Sequence, residues 1–182
     1  MKYESLKIKD VKILKPEIYR DKRGYFYESF NEKIMNKIIG KKIHFVQDNQ
    51  SFSKKNVLRG MHFQLTPVAQ AKLVRVIFGK IYDVAVDLRN GSKTFGKWVG
   101  KILSDVNRNQ LWIPEGFAHG FYCLEDSLVQ YKTTNFFSSN HDQSLRWNDP
   151  NLGIDWPLFK KPILSSRDNE GCYFDPQKIY FT

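Results

Sequence analysis

The sequence predicts a mainly β protein, a sandwich or barrel with a few short helices. Three observations carry that prediction. Beyond Gly40, short runs rich in β-branched and aromatic residues recur, separated by FGK, RNGS, KTFG, PEG and LEDS turns. A single stretch, NEKIMNKIIG at 31–40, has helical spacing. The length of 182 residues, with 41% hydrophobic and 15% aromatic content, suits one domain with a real core.

Taken in order, VKIL near residue 11 and YFYESF near residue 25 read as strands. In 31–40, Ile34, Met35 and Ile38 share a helical face, and Gly40 supplies a C-terminal stop. VLRGMHFQ, residues 57–64, begins as a strand. Simple alternation places Val57, Arg59, Met61 and Phe63 on one face and Leu58, Gly60, His62 and Gln64 on the other. KLVRVIFGKIYDVAVDLRNGSKTFGKWVG and QLWIPEGFAHGFYCLEDSLVQYKTTNFF continue as strands between turns. The stretch WNDPNLGIDWPLFKKPILSSRD, rich in proline, aspartate and tryptophan, reads as irregular chain packed on the β body. No repeat or low-complexity linker divides the chain, so residues 1–182 are expected to form one domain.

Charge narrows the function classes. The 29 basic and 19 acidic residues leave a net +10. The basic residues are scattered, with KK pairs at 41–42, 54–55 and 160–161 but no long run, zinc-finger or P-loop pattern. That distribution argues against nucleic acid and leaves an anionic small-molecule substrate or a lysine-biased proteome as its explanation. Two distant cysteines, Cys123 and Cys172, without a CxxC, point to a reducing compartment. The N-terminal MKYESLKIKD lacks the apolar core of a signal peptide, and no stretch approaches the ~20 apolar residues of a membrane span. A cytoplasmic protein without a membrane partner is expected.

The chemistry begins with a damaged metal motif. PEGFAH, 114–119, fits PxGxxH, the second half of the cupin signature. The first half wants HxH, then a glutamate, six residues and a glycine. This chain has His62-Phe63-Gln64, and Lys72 stands where the glutamate belongs ahead of Gly79. An ammonium repels a cation rather than ligating it, so no metal is expected. A cation and a histidine in an apolar barrel instead suit enolate chemistry. His62 removes a proton α to a carbonyl, and Lys72 stabilises the oxygen that takes the charge. A carboxylate is needed to orient the base, and an acid such as tyrosine must return the proton on the opposite face.

Singly, each residue also has an ordinary reading. Arg59 reads as half of a surface ion pair and Lys72 as a solvated edge charge. Tyr131 reads as a packing residue and Asp168 as a turn cap. His119 reads as a satisfied core histidine. Asp83, on the apolar strand YDVAVD, is a support candidate for the pocket.

The blocks RDKRGYFYESF, FVQDNQSFSKKNVLRGMHFQ, AQAKLVRVIFGKIYDVAVDLRNGSKTFGKW, LWIPEGFAHGF, YKTTNFF, WNDPNLGIDWP and LSSRD run from about Arg20 to Asp168. In that order and at close to that spacing, they resemble the dTDP-4-dehydrorhamnose 3,5-epimerases. The resemblance implies a cupin-type jelly-roll barrel acting as a homodimer without metal or cofactor. It implies a nucleotide-diphosphate sugar substrate, a dTDP-4-keto-6-deoxyhexose inverted at C3 and C5. It further implies His62 as base, Asp168 as its dyad partner, Tyr131 as acid and Lys72 at the enolate oxygen. His119 would share the pocket and Arg59 would bind diphosphate. Arg23, Phe26 and Glu28, contributed by the partner subunit, would hold the nucleotide with Gln47 and Asn49.

Three positions depart from the family's usual residues. Phe137 stands for tyrosine, Asp142 for glutamate and Arg167 for lysine, all at the nucleotide or pocket rim. Inversion at C3 alone, a non-catalytic sugar-nucleotide-binding cupin and a metal-dependent cupin enzyme are the competing readings.

Overall fold

The computed structural model describes residues 1–181. Its strands are β1 (Lys2–Ser5), β2 (Lys12–Lys15), β3 (Tyr19–Asp21), β4 (Gly24–Phe26), β5 (Gln47–Ser53), β6 (Leu58–Gln64) and β7 (Lys72–Phe78). They continue with β8 (Lys80–Asp87), β9 (Trp98–Ser104), β10 (Gln110–Ile113), β11 (Phe117–Cys123), β12 (Ser127–Thr133) and β13 (Asp142–Ser144). Two helices, α1 (Glu32–Ile39) and α2 (Ser166–Asn169), complete the set. The strands form a jelly roll of two antiparallel sheets, ordered β1-β2-β10-β7-β12-β5 and β13-β6-β11-β8-β9, with β3 and β4 as a separate hairpin.

Alternation along the strands builds three apolar layers. Val74, Val76, Ala85, Val99, Leu111, Phe121 and Val129 point inward between the sheets. Their odd-even neighbours point outward. On the six-stranded sheet, Leu14, Leu73 and Trp112 are covered by Met35 of α1. Asn31 caps this helix by accepting from the Ile34 amide, and Gly40 ends it at φ 80. On the five-stranded sheet, Val84, Val86, Ala118 and Tyr122 are covered by Leu152, Trp156, Phe174, Tyr180 and Phe181. The proline- and tryptophan-rich stretch thus packs on the β body through Leu152 and Trp156, burying apolar surface on that face of the sheet. β7 and β8 join through Gly79 at φ 85, where a Cβ would strike the Asp126 carbonyl.

Several strands went unread in the sequence. β1 is exposed throughout, and β5 (QDNQSFS) is polar, so neither carries a hydrophobic period. The expected strand over YFYESF shortens to Gly24–Phe26.

The alternation expected for VLRGMHFQ is corrected. Against β11, His62 pairs with His119 but Arg59 pairs with Phe121, so β6 carries one extra residue. The bulge centres on Gly60, at φ 119, whose missing Cβ leaves room for Gly120 and the His119 carbonyl. Arg59 and His62 consequently share a face. Leu58, Met61 and Phe63 all turn to the outer layer. Among the described residues, no helix is long and apolar enough to cross a membrane.

Candidate active site

A cavity of about 330 Å³ opens between the sheets, walled by Asn49 and Ser51 of β5, Arg59 and His62 of β6, Lys72 of β7, His119 and Phe121 of β11 and Tyr131 of β12. Phe137, Asp142 and Arg167 complete its rim. Strand alternation delivers these side chains inward, where they replace the apolar layer at this end of the molecule.

His62 and Asp168 meet at 2.6 Å, Nε2 to Oδ1. Asp168 is buried on α2, the short helix absent from the sequence reading. Ser165 caps that helix: its Oγ accepts from the Asp168 amide at 3.1 Å and donates to Asp168 Oδ2 at 2.8 Å. The Gly60 amide donates to Oδ1 at 3.3 Å. Burial pushes the Asp168 carboxyl up, but the hydrogen bond and charge of His62, with the Ser165 and Gly60 donors, outweigh it and leave the carboxyl below its usual range. Burial lowers the His62 imidazole below its ordinary value, against the opposing pull of Asp168. The pair is therefore neutral imidazole and carboxylate at neutral pH. With Nε2–H on Asp168, Nδ1 is the basic atom.

Lys72 is buried, and its Nζ donates to the His62 carbonyl at 3.2 Å. Burial lowers its ammonium to about 8, with Asp142 and Asp83 opposing. Tyr131 lies in the facing sheet from His62, and burial raises its phenol above the usual value. Base and acid candidates thus approach the cavity from opposite sheets. His119 Nε2 meets Asp83 Oδ1 at 2.5 Å, a pairing the sequence did not reveal.

Arg59 Nε donates to Ser53 Oγ at 2.8 Å, and its exposed guanidinium reaches the cavity mouth. Gln47 does not line the cavity. It fixes two residues that do, donating to Asn49 Oδ1 at 2.8 Å and accepting from the Phe137 amide at 2.9 Å. Phe137 leaves its ring exposed. Arg167 pairs with Asp142 at 2.5 Å, tying α2 to β13. Three expected residues lie elsewhere. Arg23 pairs with Asp21 on the β3–β4 hairpin, Phe26 is exposed beside it, and Glu28 accepts from Asn31. Gln50, Ser51, Gln70 and Phe121 also line the cavity; they lie within the family's blocks but were not singled out there.

The donor set is unlike that of a metal cupin. Both histidines commit Nε2 to carboxylates, and Lys72 brings a positive charge to the wall. Gln64 spends its amide on the Val68 and Phe136 carbonyls and its oxygen on the Ser138 amide.

A jelly roll enclosing a His–Asp pair, a buried ammonium and a facing phenol suits an enzyme doing acid–base chemistry on an organic ligand. Residues 5–175 match the family model described as dTDP-4-dehydrorhamnose 3,5-epimerase, and the chain belongs to that family of isomerases. It is 52% identical over 168 residues to the dTDP-4-dehydrorhamnose 3,5-epimerase of Shigella flexneri, covering 92% of each chain. The Salmonella typhimurium enzyme of the same name is 53% identical over 162 residues, 88% of each chain. Among solved structures, the Legionella pneumophila dTDP-6-deoxy-D-glucose-3,5-epimerase in complex with dTDP-4-keto-L-rhamnose superposes with a TM-score of 0.92 at 47% identity. That likeness covers 94% of this chain and 92% of the other.

Proposed function

We propose that this cavity inverts C3 and C5 of dTDP-4-dehydro-6-deoxy-D-glucose, giving dTDP-4-dehydro-L-rhamnose on the route to dTDP-L-rhamnose. Both carbons flank the C4 ketone, so one enolate mechanism serves both. His62 Nδ1 takes the α-proton, and Asp168 stabilises the imidazolium that forms. The electron pair moves to the C4 oxygen, where the Lys72 ammonium offsets its charge. Tyr131, kept protonated by its raised pKa, returns a proton from the facing sheet. The observation that carries the reading is the placement of His62–Asp168 and Tyr131 on opposite sheets of one cavity, with Lys72 anchored on the His62 carbonyl.

Arg59 matches a diphosphate with its guanidinium fork. Asn49, Phe137, Asp142 and Arg167 line the route for the nucleotide, and His119 shares the sugar end. Phe137 keeps an aromatic face for a base without a hydroxyl. Arg23, Phe26 and Glu28 lie on or beside the projecting hairpin, which suits the site of a second subunit in a homodimer. A cytoplasmic enzyme fits this reading.

Proton NMR of the enzyme in deuterium oxide with dTDP-4-keto-6-deoxyglucose tests it. Deuterium at both C3 and C5 is expected, and a reductase with NADPH should trap the L-sugar. Labelling at C3 alone would make this a mono-epimerase, and labelling at neither carbon would remove the proposal.

A further inference from the structure

We propose that Gln64 is a positioning residue for the nucleotide: its side chain pins the backbone of residues 136–138 and so holds the Phe137 ring at the cavity rim. The effect on binding rests on the role given to Phe137 above, but the pinning itself does not.

Gln64 ends β6 and pairs with Asp142, the first residue of β13. It is buried where two loops meet, 65–71 between β6 and β7 and 134–141 between β12 and β13. A buried amide must find partners for two N–H groups and a carbonyl. Nε2 donates to the Val68 carbonyl at 2.8 Å and to the Phe136 carbonyl at 3.1 Å, and Oε1 accepts from the Ser138 amide at 2.8 Å. One side chain thereby ties the two loops together and spends both of its N–H groups doing so. In the metal-cupin pattern this position is the second histidine of HxH. An imidazole has only two ring nitrogens and cannot supply two donors and an acceptor together. Glutamine here suits a clamp on backbone where histidine would suit a metal.

The loop depends on polar fixing. Phe136 and Phe137 are 67% and 57% exposed, so burial of their rings does not hold the chain there. Gln64 holds residues 136 and 138, and the Phe137 amide between them donates to Gln47 Oε1 at 2.9 Å. On one side of this triplet, Gln70 donates to the Asn135 carbonyl at 2.8 Å and Asn135 to the Ala69 carbonyl at 2.7 Å. On the other, the Leu65 amide donates to the His141 carbonyl at 3.0 Å. Of the two adjacent rings, it is Phe137 that lines the cavity. Three consecutive residues are fixed before a ligand arrives, so binding need not order them. Removing the clamp moves that ordering cost into the binding step.

The test is Gln64→Met, which keeps the side chain's length and removes its hydrogen-bonding amide. In wild type, hydrogen exchange should find the Ser138 amide protected by on the order of 100-fold over an unstructured chain. In Gln64→Met that protection should disappear while the β8–β11 ladder keeps its own. An unprotected Ser138 in wild type would overturn the proposal without any variant having to fold, and loss of protection across the ladder as well would reduce Gln64 to a merely structural role. Calorimetry with dTDP should show binding about tenfold weaker in Gln64→Met. In a Phe137→Ala background the same substitution should change affinity by less than about twofold, because the ring through which Gln64 acts is gone. Unchanged dTDP affinity, or an equal loss with and without the Phe137 ring, would sink the proposal. A wild type that does not bind dTDP would remove the nucleotide reading of the site, and Ser138 exchange would still decide the pinning.

Discussion

His62 and His119 are direct cross-strand partners on β6 and β11, yet each turns Nε2 to a different carboxylate, Asp168 at 2.6 Å and Asp83 at 2.5 Å. Two histidine–aspartate pairs therefore stand side by side on one wall of the cavity. They differ in exposure. The His62 side chain is 30% exposed and that of His119 only 7%. The His62 ring is thus the more accessible of the two to a ligand in the cavity, as the proposed base must be.

Removing the proposed base should suppress turnover without unfolding the chain. His62→Asn is expected to lower kcat by roughly 10³-fold or more, and Asp168→Asn by about 10²–10⁴-fold, because the ring then loses its tautomer and its counter-charge. Circular dichroism should be unchanged for His62→Asn. A kcat within a factor of about three of wild type would remove His62 from the mechanism.

The pH profile should be bell-shaped, and its limbs have definite signs. The proposed base, His62, must be neutral to accept a proton. Burial lowers its pKa, so the acid limb should fall below the ordinary histidine value of about 6.5. In the proposed mechanism Lys72 must be an ammonium, so activity should decline as pH rises through about 8. Lys72→Arg should move the alkaline limb upward, since guanidinium does not titrate there. Rate measurements from pH 4.5 to 9.5 check both limbs.

Tyr131→Phe separates proton removal from proton return. The base is intact, so solvent deuterium should still enter the α-carbon by reversal on the same face. The inverted sugar should fall by about 10²–10⁴-fold. Inversion at the wild-type rate would assign the acid elsewhere.

If the proposed homodimer places the β3–β4 hairpin in its partner's site, complementation is expected. His62→Asn and Arg23→Ala are each expected to be weak alone. If Arg23 serves the neighbouring site, a mixed dimer contains one site with both defects and one with neither. Unfolding and refolding an equimolar mixture should then restore roughly a quarter of wild-type activity. No gain on mixing would place Arg23 outside the partner's site.

Met35→Ala should cost about 2–4 kcal/mol of stability by opening a cavity under α1 against Leu14, Leu73 and Trp112. Urea denaturation measures the loss. A cost below about 0.5 kcal/mol would mean that α1 is not needed to cover the six-stranded sheet.

The candidate site was partly legible in the sequence and partly hidden. His62, Lys72, His119 and Tyr131 sit on strands, and the family's motifs single them out, as LSSRD does Asp168. Asp168 lies 106 residues from His62, on a single helical turn with no hydrophobic period. Only the SSRD capping pattern, serine three residues before aspartate, hints at that turn. Asp83 looked ambiguous because an aspartate on an apolar strand can face either way. Gln50 and Ser51 belong to a strand whose cavity-lining residues are polar, so the hydrophobic signal that marks a strand is missing.

The sequence by itself determined the β class, the helix at 31–40 and the turns at FGK, PEG and LEDS, because each depends on neighbours within a few residues. It also determined the family, through ordered motifs along most of the chain. Only the tertiary structure decided which way Arg59 faces. The extra residue at Gly60 reverses the alternation of VLRGMHFQ, and a bulge is defined by the partner strand rather than by the strand that carries it. The same holds for the two histidine–aspartate pairs. Their members are 36 and 106 residues apart, and sheet order and the packing of α2 alone bring them within hydrogen-bonding distance.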